Sequence, residues 1–158
     1  MEINVLIEEG LIVKTGVDWF QSVMEKTLLA ENIPTNIEIS LVITGQEQIR
    51  ELNREYRGKD RPTDVLSFAL QENKEGGEAE AFIGPPDGLL HLGEIIISHP
   101  QAEIQALERK HSIKKELAIL IIHGILHILG YDHEQKEMGP AMAAREKEIL
   151  ALLGKDIL

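Results

Sequence analysis

The chain has no cysteine, which excludes a disulfide framework and any thiolate-ligated metal centre. An ion held here must sit on imidazole, carboxylate or water. Aromatic residues make up only 4% of the chain, too few for the base-stacking platforms that sequence-tolerant single-strand binders use. Trp19 and Phe20 are accordingly read as core. The most apolar run, Leu117 to Leu129, contains two histidines and falls short of the roughly 20 residues that cross a bilayer. The chain begins Met1-Glu2-Ile3-Asn4, without the basic-then-apolar plan of a signal peptide. A cytoplasmic protein with no membrane partner is expected.

Positive charge is also in short supply. Sixteen Lys and Arg face 27 Asp and Glu, a formal charge of -11, which favours solubility and argues against a general polyanion binder. No DNA partner is expected. The cations are clustered, however. Arg50, Arg54, Arg57, Lys59 and Arg61 fall together, as do Arg109, Lys110, Lys114 and Lys115. A local basic surface on an acidic body is one reading; interleaved acids such as Glu51, Glu55, Asp60, Glu108 and Glu116 leave a mixed solvated face as the other.

At 158 residues the length suits one domain with a real core. Alternation of Ile3, Val5 and Ile7 predicts a short strand. Thr15 and Asp18 resemble a capping box opening a helix with Val17, Phe20, Met24 and Leu28 inward, closed by Pro34. Ile37, Ile39, Leu41 and Ile43 share one face of a second strand. Thr44 and Glu47 resemble another capping box, ahead of a helix burying Ile49, Leu52 and Tyr56 and stopped by Gly58. Thr63 to Leu70 predicts a third strand. Residues 71–88 hold four Gly and two Pro and read as an exposed loop. Leu92 to Ser98 predicts a buried fourth strand. Ser98 and Pro100 open a helix to about Lys110, Ser112 caps one running to Leu129, and a last amphipathic helix covers 138–153 with Met142, Ile149, Leu150 and Leu153 inward. Strands precede helices, which predicts an α+β fold: a small mixed sheet of about four strands covered by about five helices.

The chemistry concentrates in His123-Gly124-Ile125-Leu126-His127-Ile128-Leu129-Gly130-Tyr131-Asp132-His133. Residues four apart on a helix point the same way, so His123 and His127 share a face. Their helix is apolar nearly all round and therefore buried. Burying an unsatisfied polar group costs roughly 1–3 kcal/mol, which a metal or a hydrogen-bond network offsets. Gly130 lets the chain turn back and bring His133 to the pair. Three imidazoles with one open position is the catalytic zinc arrangement, whereas structural zinc is closed by four protein ligands. The expected centre is one zinc ion on His123, His127 and His133, at the end of a buried central helix. Asp132 is a candidate to orient a ligand. Gly124 is read as leaving space beside the metal. The spacing H-x-x-x-H-x-x-G-x-x-H matches the metzincin frame, but metalloproteases carry a general-base Glu after the first His, where this chain has Gly124. A peptidase is thereby weakened and hydrolysis in general is not. His91, His99 and His111 show no ligand spacing.

This histidine motif, together with Tyr56-Arg57-Gly58-Lys59-Asp60-Arg61-Pro62-Thr63-Asp64-Val65-Leu66-Ser67-Phe68, resembles the YbeY family of bacterial endoribonucleases. Leu92-Gly93-Glu94-Ile95 falls at that family's Leu-Gly-acid-Ile element, where Asp is the commoner acid, and Met142, Glu146 and Ile149 fit its final helix. The resemblance implies metal-dependent cleavage of single-stranded RNA in ribosomal RNA maturation and ribosome quality control, with the ribosome or its proteins as partners. It implies zinc on the three histidines and a catalytic part for Arg57, whose guanidinium suits bidentate contact with phosphate. Glu94, Lys59 and Arg61 are candidates for substrate or supporting contacts. The rival expectations are a metallopeptidase-like hydrolase and a non-catalytic ribosome assembly factor with a structural metal.

Overall fold

The computed structural model describes residues 1–70, 88–131, 138–154 and 157–158. Four strands and five helices are formed: β1 Glu2–Ile7, α1 Val17–Ala30, β2 Ile37–Thr44, α2 Gln46–Arg57, β3 Val65–Ala69, β4 Leu90–Ser98, α3 His99–Arg109, α4 Ile113–Ile128 and α5 Met138–Leu153. The strands make one mixed sheet in the order β1-β2-β4-β3. β1, β2 and β4 run parallel, and β3 is an antiparallel edge strand on β4. The α+β expectation of about four strands and five helices is met.

Alternation along the strands divides the core in two. Ile37, Ile39, Leu41 and Ile43 of β2, with Ile95 and Ile97 of β4, join Phe20, Met24 and Leu28 of α1, Leu117, Ile121 and Ile125 of α4, and Met142 and Ile149 of α5. The opposite face is lined by Val42, Leu66, Phe68 and Ile96, and α2 packs there through Ile49 and Leu52. Helices α4 and α2 therefore lie on opposite faces of the sheet.

Both glycine-preceded helices begin differently from the sequence reading. The N-caps of α1 and α2 are Gly16 and Gly45, with no side-chain capping bond. Thr15 is buried, and the Thr44 hydroxyl donates instead to Glu8 Oε1 at 2.9 Å. Val17 and Tyr56, expected inward, are exposed, while Asn53 takes the buried place on α2. α1 ends at Ala30, ahead of Pro34. Leu70 lies past the end of β3 and is exposed. Leu150 is half-buried. The caps expected at Ser98 and Ser112 do form, accepting from the amides of Gln101 and Lys115. Gly58 adopts φ +70 and stops α2 as expected. The loop expected at 71–88 lies outside the described residues except for Gly88.

Candidate metal-binding site

Beyond its first turn, helix α4 is buried except for one stripe. Lys115, Ile119, His123 and His127 are its partly exposed residues after Ile113, each four positions from the last, while the residues between them are buried. The histidine pair thus occupies the line along which a central helix reaches the surface. The two rings lie edge to face with centroids 5.1 Å apart.

His123 is oriented from α5. Its Nδ1 sits 2.9 Å from Glu146 Oε1, and both side chains are about three-quarters buried. A carboxylate only accepts, so Nδ1 donates and the ring's lone pair is on Nε2. That is the tautomer control a metal-ligating histidine receives from a carboxylate partner. Glu146 was legible only as a family match, yet a signal was present: it is the one acid on the Met142-Glu146-Ile149-Leu153 stripe, whose other three members are buried in the core.

The turn that follows α4 is set by its glycine. Gly130 has φ +110, its amide donates to His127 O at 3.1 Å, and the Tyr131 amide reaches back to Leu126 O at 3.0 Å. These two bonds form a Schellman cap, which needs a residue that tolerates positive φ. Asp132 and His133 lie outside the described residues, so of the three expected ligands the structure shows the two on α4. Among the described residues, no three His, Cys, Asp or Glu side chains group closely enough to hold a metal. The donors that are described suit zinc: two imidazoles on one helix face, one of them held by a carboxylate.

Gly124 has a different purpose from the one its position suggested. A Cβ built there meets Ile95 Cγ2 at 2.9 Å and two more Ile95 carbons at 3.2 Å. The glycine lets α4 approach β4; it does not open space beside a metal. Gly93 makes a similar demand on the sheet, since with φ +149 its Cβ would lie 2.1 Å from the Phe68 carbonyl oxygen.

The remaining candidates fall on the other side of the molecule. Arg57 is exposed in the last turn of α2, and Lys59 and Arg61 are exposed in the turn that follows. That turn is fixed from beneath: the Asn53 carbonyl accepts from the Lys59 amide at 3.3 Å, and Asn53 Nδ2 donates to Arg61 O at 2.8 Å. Arg50 pairs with Asp60 at 2.8 Å. No ion pair involves Arg57, Lys59 or Arg61 among the described residues. Glu94 shares its face with Ile96 and lies opposite Phe68, on which Tyr56 packs at 5.2 Å between ring centroids. Glu94 is therefore on the α2 side of the sheet, away from the histidine pair.

The other histidines have carboxylate partners. His91 Nδ1 lies 2.8 Å from Glu38 Oε1, His99 Nδ1 3.3 Å from Glu103, and His111 Nε2 2.6 Å from the fully buried Glu116. Glu116 also accepts from Arg109 and Gln105. Burial alone would raise the Glu38 carboxyl, but hydrogen bonds from His91, Ser40 and Asn4 outweigh it and hold the group below its ordinary value of 4.5.

The family model for the endoribonuclease YbeY matches residues 7–154 of the chain. An endoribonuclease YbeY from Dehalococcoides mccartyi (strain ATCC BAA-2266 / KCTC 15142 / 195) is 50% identical over 137 residues, covering 85% of this chain and 80% of that protein. One from Geobacillus thermodenitrificans is 42% identical over 154 residues, covering 98% and 97%. Among solved structures, a solution structure of a Thermotoga maritima protein aligns with TM-score 0.60 at 29% identity, over 94% of this chain and 86% of that one. With a family model spanning almost its whole length and relatives this similar, the chain belongs to the YbeY endoribonuclease family.

Proposed function

We infer that the chain is a metal-dependent endoribonuclease that cleaves single-stranded RNA, acting as one domain over residues 1–158 in ribosomal RNA maturation and ribosome quality control. The observation that carries this reading is the His123 and His127 pair on the partly exposed stripe of α4, with His123 oriented by Glu146, in a chain of this family.

His123, His127 and His133 would hold one zinc ion. Zinc there supplies Lewis acidity toward a phosphodiester. The protein's own contribution is to present the imidazoles in fixed orientation: Glu146 keeps the His123 proton on Nδ1, and the Gly130 cap redirects the chain after His127. Arg57 clamps a phosphate by bidentate contact, with Lys59 and Arg61 adding attraction from the same rigid turn. Because α2 and α4 lie on opposite sheet faces, a substrate that meets both must extend around the β3 edge. An extended polymer suits that placement, in keeping with an RNA substrate. A ribosomal partner supplies affinity that a chain of net charge -11 lacks by itself, in the cytoplasm; among the described residues no helix is long and apolar enough to cross a membrane.

The peptidase alternative loses further ground. At position 124 a side chain would run into Ile95, so the general base of that class has no room there. A purely structural metal has no observation in its favour.

The test is cleavage of single-stranded RNA by the purified chain, with and without chelator, beside a protease assay. Arg57→Ala is expected to keep its metal and lose at least tenfold in kcat, about 1.4 kcal/mol of transition-state stabilisation. Full activity in that variant removes Arg57 from the mechanism.

A further inference from the structure

Alongside the histidine pair, the groove between α4 and α5 contains a cavity of about 210 Å³ lined by Ile119, Ile122, Ala143, Glu146, Lys147 and Leu150. We propose that this cavity is a nucleobase subsite, receiving one unpaired base of the RNA strand next to the bond that is cut. This rests on the endoribonuclease reading and adds to it what the site recognises besides phosphate.

Position is the first argument. Ile119 precedes His123 by one helical turn on the same exposed stripe of α4, and Glu146 belongs to both places: Oε1 accepts from His123 Nδ1 while the residue forms part of the cavity wall. A group in the cavity is therefore one side chain away from a ligating imidazole. Shape and chemistry are the second argument. Ile119, Ala143 and Leu150, over the buried Ile122, give apolar surface for the flat faces of a base, and a space of about 210 Å³ is enough for several waters and so for one ring system. Charge is the third. Glu146 Oε2 has no hydrogen bond among the described residues, so it is placed to accept from an exocyclic amino group, as acids do from cytosine N4. Lys147 at the rim favours the phosphate attached to that base. A base can enter only when unstacked and unpaired, which supplies a physical reason for single-strand selectivity.

The test uses short single-stranded RNAs of one sequence, carrying cytosine, uracil or an abasic residue at successive positions around the mapped cut. Binding is read by fluorescence of 2-aminopurine placed at the same positions, in the full chain. In the wild type, one position is expected to lose several-fold in kcat/KM when made abasic, as burial of one ring's apolar surface predicts, and to prefer cytosine to uracil. Ala143→Phe, an exposed site outside the histidine machinery, is expected to fill the cavity. It should show a similar loss on intact RNA, no further loss on the abasic RNA, and no position-specific rise in 2-aminopurine fluorescence, the signal of a base unstacked into an aliphatic pocket. Losses from Ala143→Phe and from the abasic residue that multiply would overturn the subsite, as would a wild type indifferent to abasic substitution at every position. RNA that is bound with a position-specific rise in 2-aminopurine fluorescence but never cut would sustain the subsite and defeat the nuclease reading; RNA neither bound nor cut defeats both.

Discussion

Gly124 shows how one residue without a side chain serves the site indirectly. Ile95 is fully buried and has little room to move, so a methyl group at 124 overpacks the α4–β4 contact. Overpacking costs typically about 1–3 kcal/mol, against a helix-propensity gain of about 1 kcal/mol for Gly to Ala. Gly124→Ala is expected to be destabilising by about 1 kcal/mol, and the cycle with Ile95→Ala should show coupling of similar size because the second change removes the obstructing atoms. Additive effects in denaturant unfolding would show that the close approach is not what the glycine serves. Glu38 allows a second test at this scale. Its carboxyl lies below 4.5 in the folded chain, so its contribution to stability is present above that pH and is lost as the pH falls through the folded value. Glu38→Gln is expected to flatten the acid limb of the stability curve below about pH 4.5; an unchanged limb would assign acid unfolding to other carboxylates.

Helix ends carry the same logic one level up. α3 terminates in a Schellman turn, with Lys110 N donating to Leu107 O and His111 N to Ala106 O, and Lys110 itself at φ +57. An L-residue held there costs roughly 1–2 kcal/mol that glycine avoids. Lys110→Gly is expected to raise stability by about 1 kcal/mol, read as a higher denaturant midpoint at unchanged m-value; a lower midpoint would show that the lysine side chain contributes more than the backbone strain removes. Elements with a strong local signal were legible in the sequence. The period-2 run of β2, the serine caps of α3 and α4 and the amphipathic stripe of α5 all form where expected. What misled was local resemblance without tertiary context. Thr15-x-x-Asp18 and Thr44-x-x-Glu47 have capping-box spacing, but a glycine one residue later takes each cap, and Thr44 is drawn to Glu8, an acid 36 positions away. Tyr56 has helical spacing for the core, yet the short β3 beneath it leaves it over Phe68 and exposed. For the site, spacing identified the two helical histidines as sharing a face, while Glu146 depends on how α5 packs on α4, which periodicity does not encode.

At the scale of the whole molecule, the sheet separates the two groups of candidate residues. The histidine pair and the proposed base subsite lie on the face covered by α1, α4 and α5, and the Arg57–Arg61 turn belongs to the face covered by α2. Strand β3 is the edge between them, and the basic turn beside it is hydrogen-bonded through Asn53 and ion-paired through Asp60. A formal charge of -11 over the chain disfavours non-specific adhesion to nucleic acid. This division has meaning only if the histidines hold an ion that does chemistry. The decisive measurement is the zinc content of the purified chain and of His127→Ala, paired with single-stranded RNA cleavage before chelation, after it and after zinc is restored. The expected result is about one zinc per wild-type chain by three-ligand stoichiometry, cleavage that disappears and returns with the metal, and loss of both metal and cleavage in the variant. Cleavage that persists in fully metal-free protein, or in His127→Ala, would contradict the account.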